Sequence, residues 1–244
     1  MNLSIENHSD IIVVQDGIII GGSKARIIPS WLDKVLNGKT VVSYGGPKTG
    51  YAQLALAVAC KQKGIKCQLS LSGYTFDDNE RDTYVTRMAR QYGAKISMKS
   101  TANWIAKLAS NNLEDDNTLS CDFGFDNDIF INTGVEIISQ LVLNSSIARL
   151  IDQHFHLFVA CGTGTFAKIL MRVFPNATIH GVQIGREVNL PIIIHKAPEP
   201  FYGNAKNKPP YDSVLNYDAK VWQFALKHKK ENLNDVVLIW NIAK

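Results

Sequence analysis

Short apolar runs along this chain alternate with longer segments whose apolar positions recur every three or four residues, the periods that separate strands from helices. Ile11–Val14 and Ile18–Ile20 are β-rich runs split by Gln15-Asp16-Gly17, which predicts a hairpin. Pro29-Ser30-Trp31 then opens a short helix with Trp31, Leu32, Val35 and Leu36 on one face, and Asn37-Gly38 stops it. Thr40–Tyr44 reads as a buried strand running into Gly45-Gly46-Pro47. A helix follows over Thr49–Lys63, apolar nearly all round from Leu54 to Cys60, and Gly64 ends it. Lys66–Leu71 completes a strand–helix–strand crossover, the unit of a parallel sheet. Asp77–Tyr92 predicts a helix, Lys95–Met98 a strand and Thr101–Ser110 a shorter helix.

The second half repeats the alternation. Cys121–Asp128 is irregular and acidic, and its spacing does not match a calcium loop. Asn132–Leu143 returns to helix, His156–Ala160 to strand, Phe166–Phe174 to helix and Thr178–Gln183 to strand. Lys196–Pro210, rich in proline, lysine and asparagine, reads as a surface excursion. Tyr217–Lys230 is helical and Val236–Trp240 is a final strand. The expected class is α/β, with parallel twisted sheets flanked by helices in two domains. Residues 1–38 with 141–244 form the larger, and 39–140 an inserted smaller one.

Composition changes this picture little. With 45% hydrophobic and 20% charged residues, the chain belongs with globular proteins rather than disordered ones. A formal charge of +4 suits an anionic ligand without singling out nucleic acid. Cys60, Cys67, Cys121 and Cys161 are scattered, which fits a reducing, intracellular setting. The first residues lack a basic region followed by an apolar one, and no apolar run approaches the ~20 residues of a membrane span. A cytoplasmic protein without membrane contact is expected. The histidines show no Ser-His-Asp or zinc spacing, so no metal is assigned.

Four stretches carry candidate chemistry. Gly21-Gly22-Ser23-Lys24-Ala25-Arg26 places a lysine just beyond two glycines that let the backbone turn tightly. A lysine desolvated there loses its proton readily and becomes nucleophilic, although the same turn also suits a lysine that snorkels to water. Gly162-Thr163-Gly164-Thr165, between a strand and a helix, is an anion cradle of convergent amides and threonine hydroxyls. Gly45-Gly46-Pro47-Lys48-Thr49-Gly50-Tyr51 is a glycine-rich helix start. Asp212-Ser213-Val214-Leu215-Asn216-Tyr217-Asp218-Ala219-Lys220 reads as a helix entry with a capping aspartate.

Taken in order, these segments resemble the fold-type-II pyridoxal-phosphate enzymes, in the branch holding aminocyclopropane-carboxylate deaminase and D-cysteine desulfhydrase. The resemblance implies that Lys24 forms the Schiff base with pyridoxal 5'-phosphate and later acts as base. It implies that Gly162, Thr163, Gly164 and Thr165 hold the phosphate, that Asp218 faces the pyridine nitrogen, and that Tyr217 flanks the substrate. Lys48, Thr49, Gly50 and Tyr51 fall on the turn that binds the substrate carboxylate, with Thr49 retaining its hydroxyl. Lys48, Gly50 and Tyr51 replace the family's glutamine, asparagine and histidine there. The implied reaction is lyase or deaminase chemistry on a small amino acid, and a homodimer is allowed. Three alternatives stand beside it. One is a pyridoxal-phosphate enzyme, such as a decarboxylase, acting on an amino-acid group attached to a nucleotide or nucleic acid. Another is a non-catalytic pyridoxal-phosphate-binding protein. The third rests on Phe158–Thr165 with Gly181-Val182-Gln183, which also looks like the first motifs of an S-adenosylmethionine-dependent methyltransferase. That cofactor site wants an acidic residue where this chain has Gln183.

Overall fold

The computed structural model describes residues 2–73, 82–98, 116–185 and 187–244. The strands are β1 (Ile5–His8), β2 (Ile11–Gln15), β3 (Val41–Pro47), β4 (Lys66–Ser72), β5 (Lys95–Met98), β6 (Thr118–Cys121), β7 (His156–Cys161), β8 (Thr178–Gln183), β9 (Ile193–Lys196) and β10 (Val237–Asn241). The α-helices are α1 (Ser23–Val35), α2 (Tyr51–Lys63), α3 (Tyr84–Gln91), α4 (Asp128–Leu143), α5 (Thr165–Val173) and α6 (Trp222–Glu231). The expected α/β class with parallel sheets is the one observed. The chain divides into two compact units, Met1–Ser23 with Ile131–Lys244, and Lys24–Phe130.

The first unit is built on a six-stranded sheet in the order β1-β2-β10-β7-β8-β9. Every pairing is parallel except β1 with β2. The sheet draws β2 from one end of the chain and β10 from the other, with β10 inserted between β2 and β7. All five β10 residues are buried, as expected of a central strand covered on both faces. Ile11, Val13, Phe158, Val182, Val237 and Ile239 form a core with Val221, Trp222 and Ala225.

The second unit carries a four-stranded, all-parallel sheet in the order β5-β4-β3-β6. Helix α2 is buried continuously from Gln53 to Cys60, which explains why its apolar residues run nearly all round. Its Leu54 and Val58 pack on Val85 of α3. Gly64 ends α2 in the left-handed region (φ 68°).

Several expected elements differ. Ile18–Ile20 is no strand: Asp16–Ile18 is a 3-10 turn, and Ile18 and Ile20 are 49% and 46% exposed. The hairpin is instead β1 with β2, turned by Ser9 and Asp10 at φ 52° and 60°, because the second side of β2 is taken by β10. Helix α1 opens at Ser23, leaving Pro29 inside it. Its entry is set by the turn before it rather than by the proline, which forfeits the bond to the Ala25 carbonyl. Helix α4 begins at Asp128, because Asn127 Oδ1 accepts the Phe130 N–H at 2.9 Å and caps it there. Helix α3 starts at Tyr84, with the Thr83 hydroxyl accepting from Thr86 N. The 77–81 part of its expected span and the helix expected over 101–110 lie outside the described residues. Strands β6 and β9 are short edge strands that were not expected: β6 mixes polar and apolar residues, and the isoleucine run that opens β9 is only three residues long. No helix among the described residues is long and apolar enough to cross a membrane.

The chain reverses before α1 at Gly21 and Gly22 (φ 92° and 69°), where a Cβ on Gly22 would stand 2.3 Å from the Ile242 carbonyl oxygen. Gly22→Ala should therefore strain the backbone and push against the end of β10 together, costing about 1–3 kcal/mol. Urea unfolding should show a lower midpoint at unchanged slope, and a parent-like midpoint would show that the turn relaxes freely.

Candidate active site

Because β2, β10, β7, β8 and β9 are mutually parallel, their carboxyl ends share one edge of the first unit's sheet. In open α/β sheets this is the edge beyond which ligands bind. Strand β7 ends there in Gly162-Thr163-Gly164-Thr165, which leads directly into α5. Gly164 sits at φ 82°, and a Cβ on it would stand 2.8 Å from Leu190 Cδ1. Only glycine meets both demands. The Thr163 and Thr165 hydroxyls lie 2.9 Å apart, with Thr165 buried. The first N–H groups of α5 have no acceptor within the helix and add positive potential.

Tyr217 and Asp218 reach the same edge. A Cβ on Gly162 would lie 2.8 Å from the Tyr217 hydroxyl, so this tyrosine tip rests against the loop. Asp218 is buried and its Oδ1 accepts the Ile242 N–H at 3.1 Å, whereas Oδ2 has no hydrogen-bond partner among the described residues. Burial raises its pKa to about 8, against the lowering effect of the Ile242, Ala243 and Asp218 backbone N–H groups. Ile242 also anchors the lysine-bearing turn. Its carbonyl accepts the Ser23 N–H at 3.0 Å, and the Trp240 indole N–H is shared between Ser23 Oγ and Asp16 Oδ2.

Lys24 follows Ser23 directly and is the first residue of the second unit. Burial lowers its amine to a pKa of about 8, with Asp126 pulling the other way. Its Nζ lies 5.9 Å from the centroid of the Phe125 ring. Phe125 adopts φ 60°, stacks on Tyr44 with centroids 5.3 Å apart, and meets Trp31 edge-on. Tyr44, Phe125 and Asp126 were not singled out as candidates. Phe123-Gly124-Phe125 sits inside the acidic stretch that reads as a loop, and only its two aromatics hinted at a packed turn.

Lys48, Thr49, Gly50 and Tyr51 form the turn from β3 into α2 and are all half-buried. The Lys48 carbonyl accepts three side-chain donors: Gln53 Nε2 at 2.8 Å, the Thr83 hydroxyl at 2.7 Å and the Thr86 hydroxyl at 3.0 Å. Lys48 N–H donates to the Ser72 carbonyl at 2.9 Å. These bonds fix the turn's path without using the side chains of Lys48 or Thr49.

The absence of zinc spacing among the histidines also needs correction as a spatial statement. One ring nitrogen from each of His156, His180 and His228 lies within 4.8 Å of the others. These residues come from two strands and a helix, so spacing along the chain could not reveal them.

The fold is that of a class of α/β enzymes with known structures. A hydrogen sulfide-producing enzyme from Fusobacterium nucleatum superposes with a TM-score of 0.73 at 14% identity, covering 99% of this chain and 94% of its own. An ACC deaminase homologue gives a TM-score of 0.78 at 15% identity, covering 100% and 89%. The O-acetylserine-dependent cystathionine beta-synthase from Helicobacter pylori gives 0.70 at 13% identity, covering 100% and 92%. No protein-family model and no curated protein sequence matches the chain. The resemblance drawn from sequence to the aminocyclopropane-carboxylate deaminase branch therefore holds at the level of fold.

A pKa near 8 gives Lys24 a measurable signature. Its reaction with an amine-reactive reagent should rise with a midpoint near pH 8, well below that of surface lysines, as followed by peptide mass spectrometry. Asp126→Asn removes a charge that favours the ammonium form, so the midpoint should fall further. A midpoint near 10.5 in the parent would mean that Lys24 is fully solvated.

Proposed function

We propose that this protein is a pyridoxal-phosphate-dependent enzyme that carries out lyase or deaminase chemistry on a small amino acid. The observation that carries the reading is Lys24: an amine brought to a pKa of about 8 by burial, next to a double-glycine turn tied to the end of β10. Two further features fit the cofactor. The Gly162–Thr165 loop has the glycine geometry and the paired hydroxyls that a phosphate dianion needs. The unpartnered Asp218 Oδ2 is a buried carboxyl oxygen lacking the hydrogen-bond partner that a pyridine nitrogen would supply. The methyltransferase alternative draws no support from the sheet, because beyond β10 it continues into β2 and β1, which come from residues before β7 rather than after it.

In this reading Lys24 Nζ would hold the cofactor and would serve as general base at the Cα of a bound amino acid. When bound, pyridoxal phosphate supplies an electron sink for the bond broken at Cα. Thr163, Thr165 and the first amides of α5 hold the phosphate. Asp218 keeps a proton on the ring nitrogen, and the Tyr217 hydroxyl gives or takes a proton at the leaving group. Lys48 and Thr49 hold the substrate carboxylate, by charge and by hydroxyl.

Protein mixed with pyridoxal phosphate should turn yellow, and borohydride should fix the cofactor mass on the Lys24 peptide. A colourless protein without that adduct overturns the reading. Thr165→Val should weaken cofactor binding about 10- to 100-fold, the worth of a hydrogen bond to a charged group at roughly 1.5–3 kcal/mol. Asp218→Ala should retain the cofactor yet lose most turnover with whichever amino acid substrate profiling identifies. Parent-like turnover in that variant would remove Asp218 from the site.

A further inference from the structure

Five of the six histidines gather on the first unit's sheet, in a diagonal that runs from His156 at the amino end of β7 through His180 in β8 to His195 in β9. His156 opens β7, five residues before Cys161, which puts it about 17 Å along the strand from the loop end. His156 Nδ1 and His180 Nε2 are 2.9 Å apart. His180 Nδ1 and His195 Nε2 are also 2.9 Å apart. The His228 ring, from α6, stands 4.2 Å from that of His156 between centroids. Asp235 Oδ2 meets His228 Nε2 at 2.8 Å and His156 Nε2 at 3.2 Å.

From these contacts we infer that His156, His180 and His228 form a binding site for one zinc-class divalent transition metal, with Asp235 and His195 as the groups that orient the ligands. An ionised carboxylate can only accept, so its hydrogen bond places a proton on His228 Nε2, and its approach to 3.2 Å from His156 Nε2 favours the proton on that nitrogen too. The neutral His156 ring then presents a bare Nδ1 lone pair toward His180. This is the carboxylate–histidine arrangement that metal sites use to fix a tautomer and raise ligand basicity. His195 performs the same service on the far side of His180, where its Nε2 can accept the Nδ1–H. Tetrahedral ligands at Zn–N distances near 2.0–2.1 Å stand about 3.3 Å apart. The His156–His180 pair is already close to that spacing, and His228, half-buried on a helix surface, supplies the remaining movement. Three imidazoles suit zinc, cobalt or nickel rather than calcium or magnesium, and they leave a fourth position for water. The bound ion would tie α6 to β7 and β8.

The test begins with chelator-treated protein. Zn²⁺ titrated in competition with a chromogenic chelator should bind at one equivalent per chain and raise the thermal midpoint. Co²⁺ should give the intense visible bands of a four-coordinate nitrogen site, a readout that needs no variant. His228→Gln and His156→Gln should each abolish the Co²⁺ bands, and Asp235→Asn should weaken Zn²⁺ binding about 10- to 100-fold. His8→Gln, which pairs with Glu6 on β1, should leave binding unchanged. No uptake by the parent, or uptake undiminished in both histidine variants, would leave these rings as a hydrogen-bonded chain and overturn the proposal.

Discussion

The first unit depends on how β10 ends. Trp240, Asn241 and Ile242 are consecutive, and between them they bond Gln15–Asp16, Ser23 and the Asp212–Asp218 segment. Trp240 donates to Asp16 and Ser23, and the Asn241 amide donates to Gln15 and to the Asp212 carbonyl while accepting from Ser213. Ile242 takes the Ser23 N–H on its carbonyl and gives its own N–H to Asp218. Buried polar groups of this kind must be paired, so the bonds fix the three stretches in place. The lysine-bearing turn and the Asp212–Asp218 segment therefore inherit their positions from a rigid central strand rather than from their own loops.

This explains what the sequence could and could not reveal. Strands β3, β7 and β10 carry apolar runs and β4 alternates apolar with polar residues, so these were legible from local pattern, as was the shorter β8 after its helix. Ile18–Ile20 has the same local pattern, yet no strand remains to pair with it once β10 occupies the far side of β2. Long-range pairing overrode a local preference there. Pro29 misled in the same way, because the entry to α1 is set by the Ile242 carbonyl more than 200 residues away. The turns at Gly21-Gly22 and at Gly164 were legible because glycines mark positions where the backbone must adopt a positive φ. The aromatic stack of Tyr44, Phe125 and Trp31 was not, since its members are far apart along the chain and lack a shared period.

The turn before α2 is held by bonds to its backbone rather than by the side chains it presents. Against the resembled family, Lys48, Gly50 and Tyr51 all differ. The path of the turn is held by three donors converging on one carbonyl, and these come from Gln53, Thr83 and Thr86. None of those residues belongs to the motif. The two threonines also serve the start of α3, where Thr83 caps the helix. Replacing the motif side chains therefore changes what the turn presents without changing where it runs.

Burial acts on Lys24 and Asp218 in opposite directions, and both end near neutrality. Lys24 is pushed down to about 8 and Asp218 up to about 8, so at neutral pH the carboxyl is mostly protonated. An ionised Asp218 without a counter-charge would be costly, and holding the proton avoids that cost. A ligand with a basic ring nitrogen changes the balance. Asp218 can give its proton to that nitrogen, creating an ion pair in place and requiring none from solvent. The carboxylate left behind is then stabilised by the charge it has just produced. A surface aspartate, already ionised, could not do this; the burial that makes Asp218 costly as an anion also loads it as a donor.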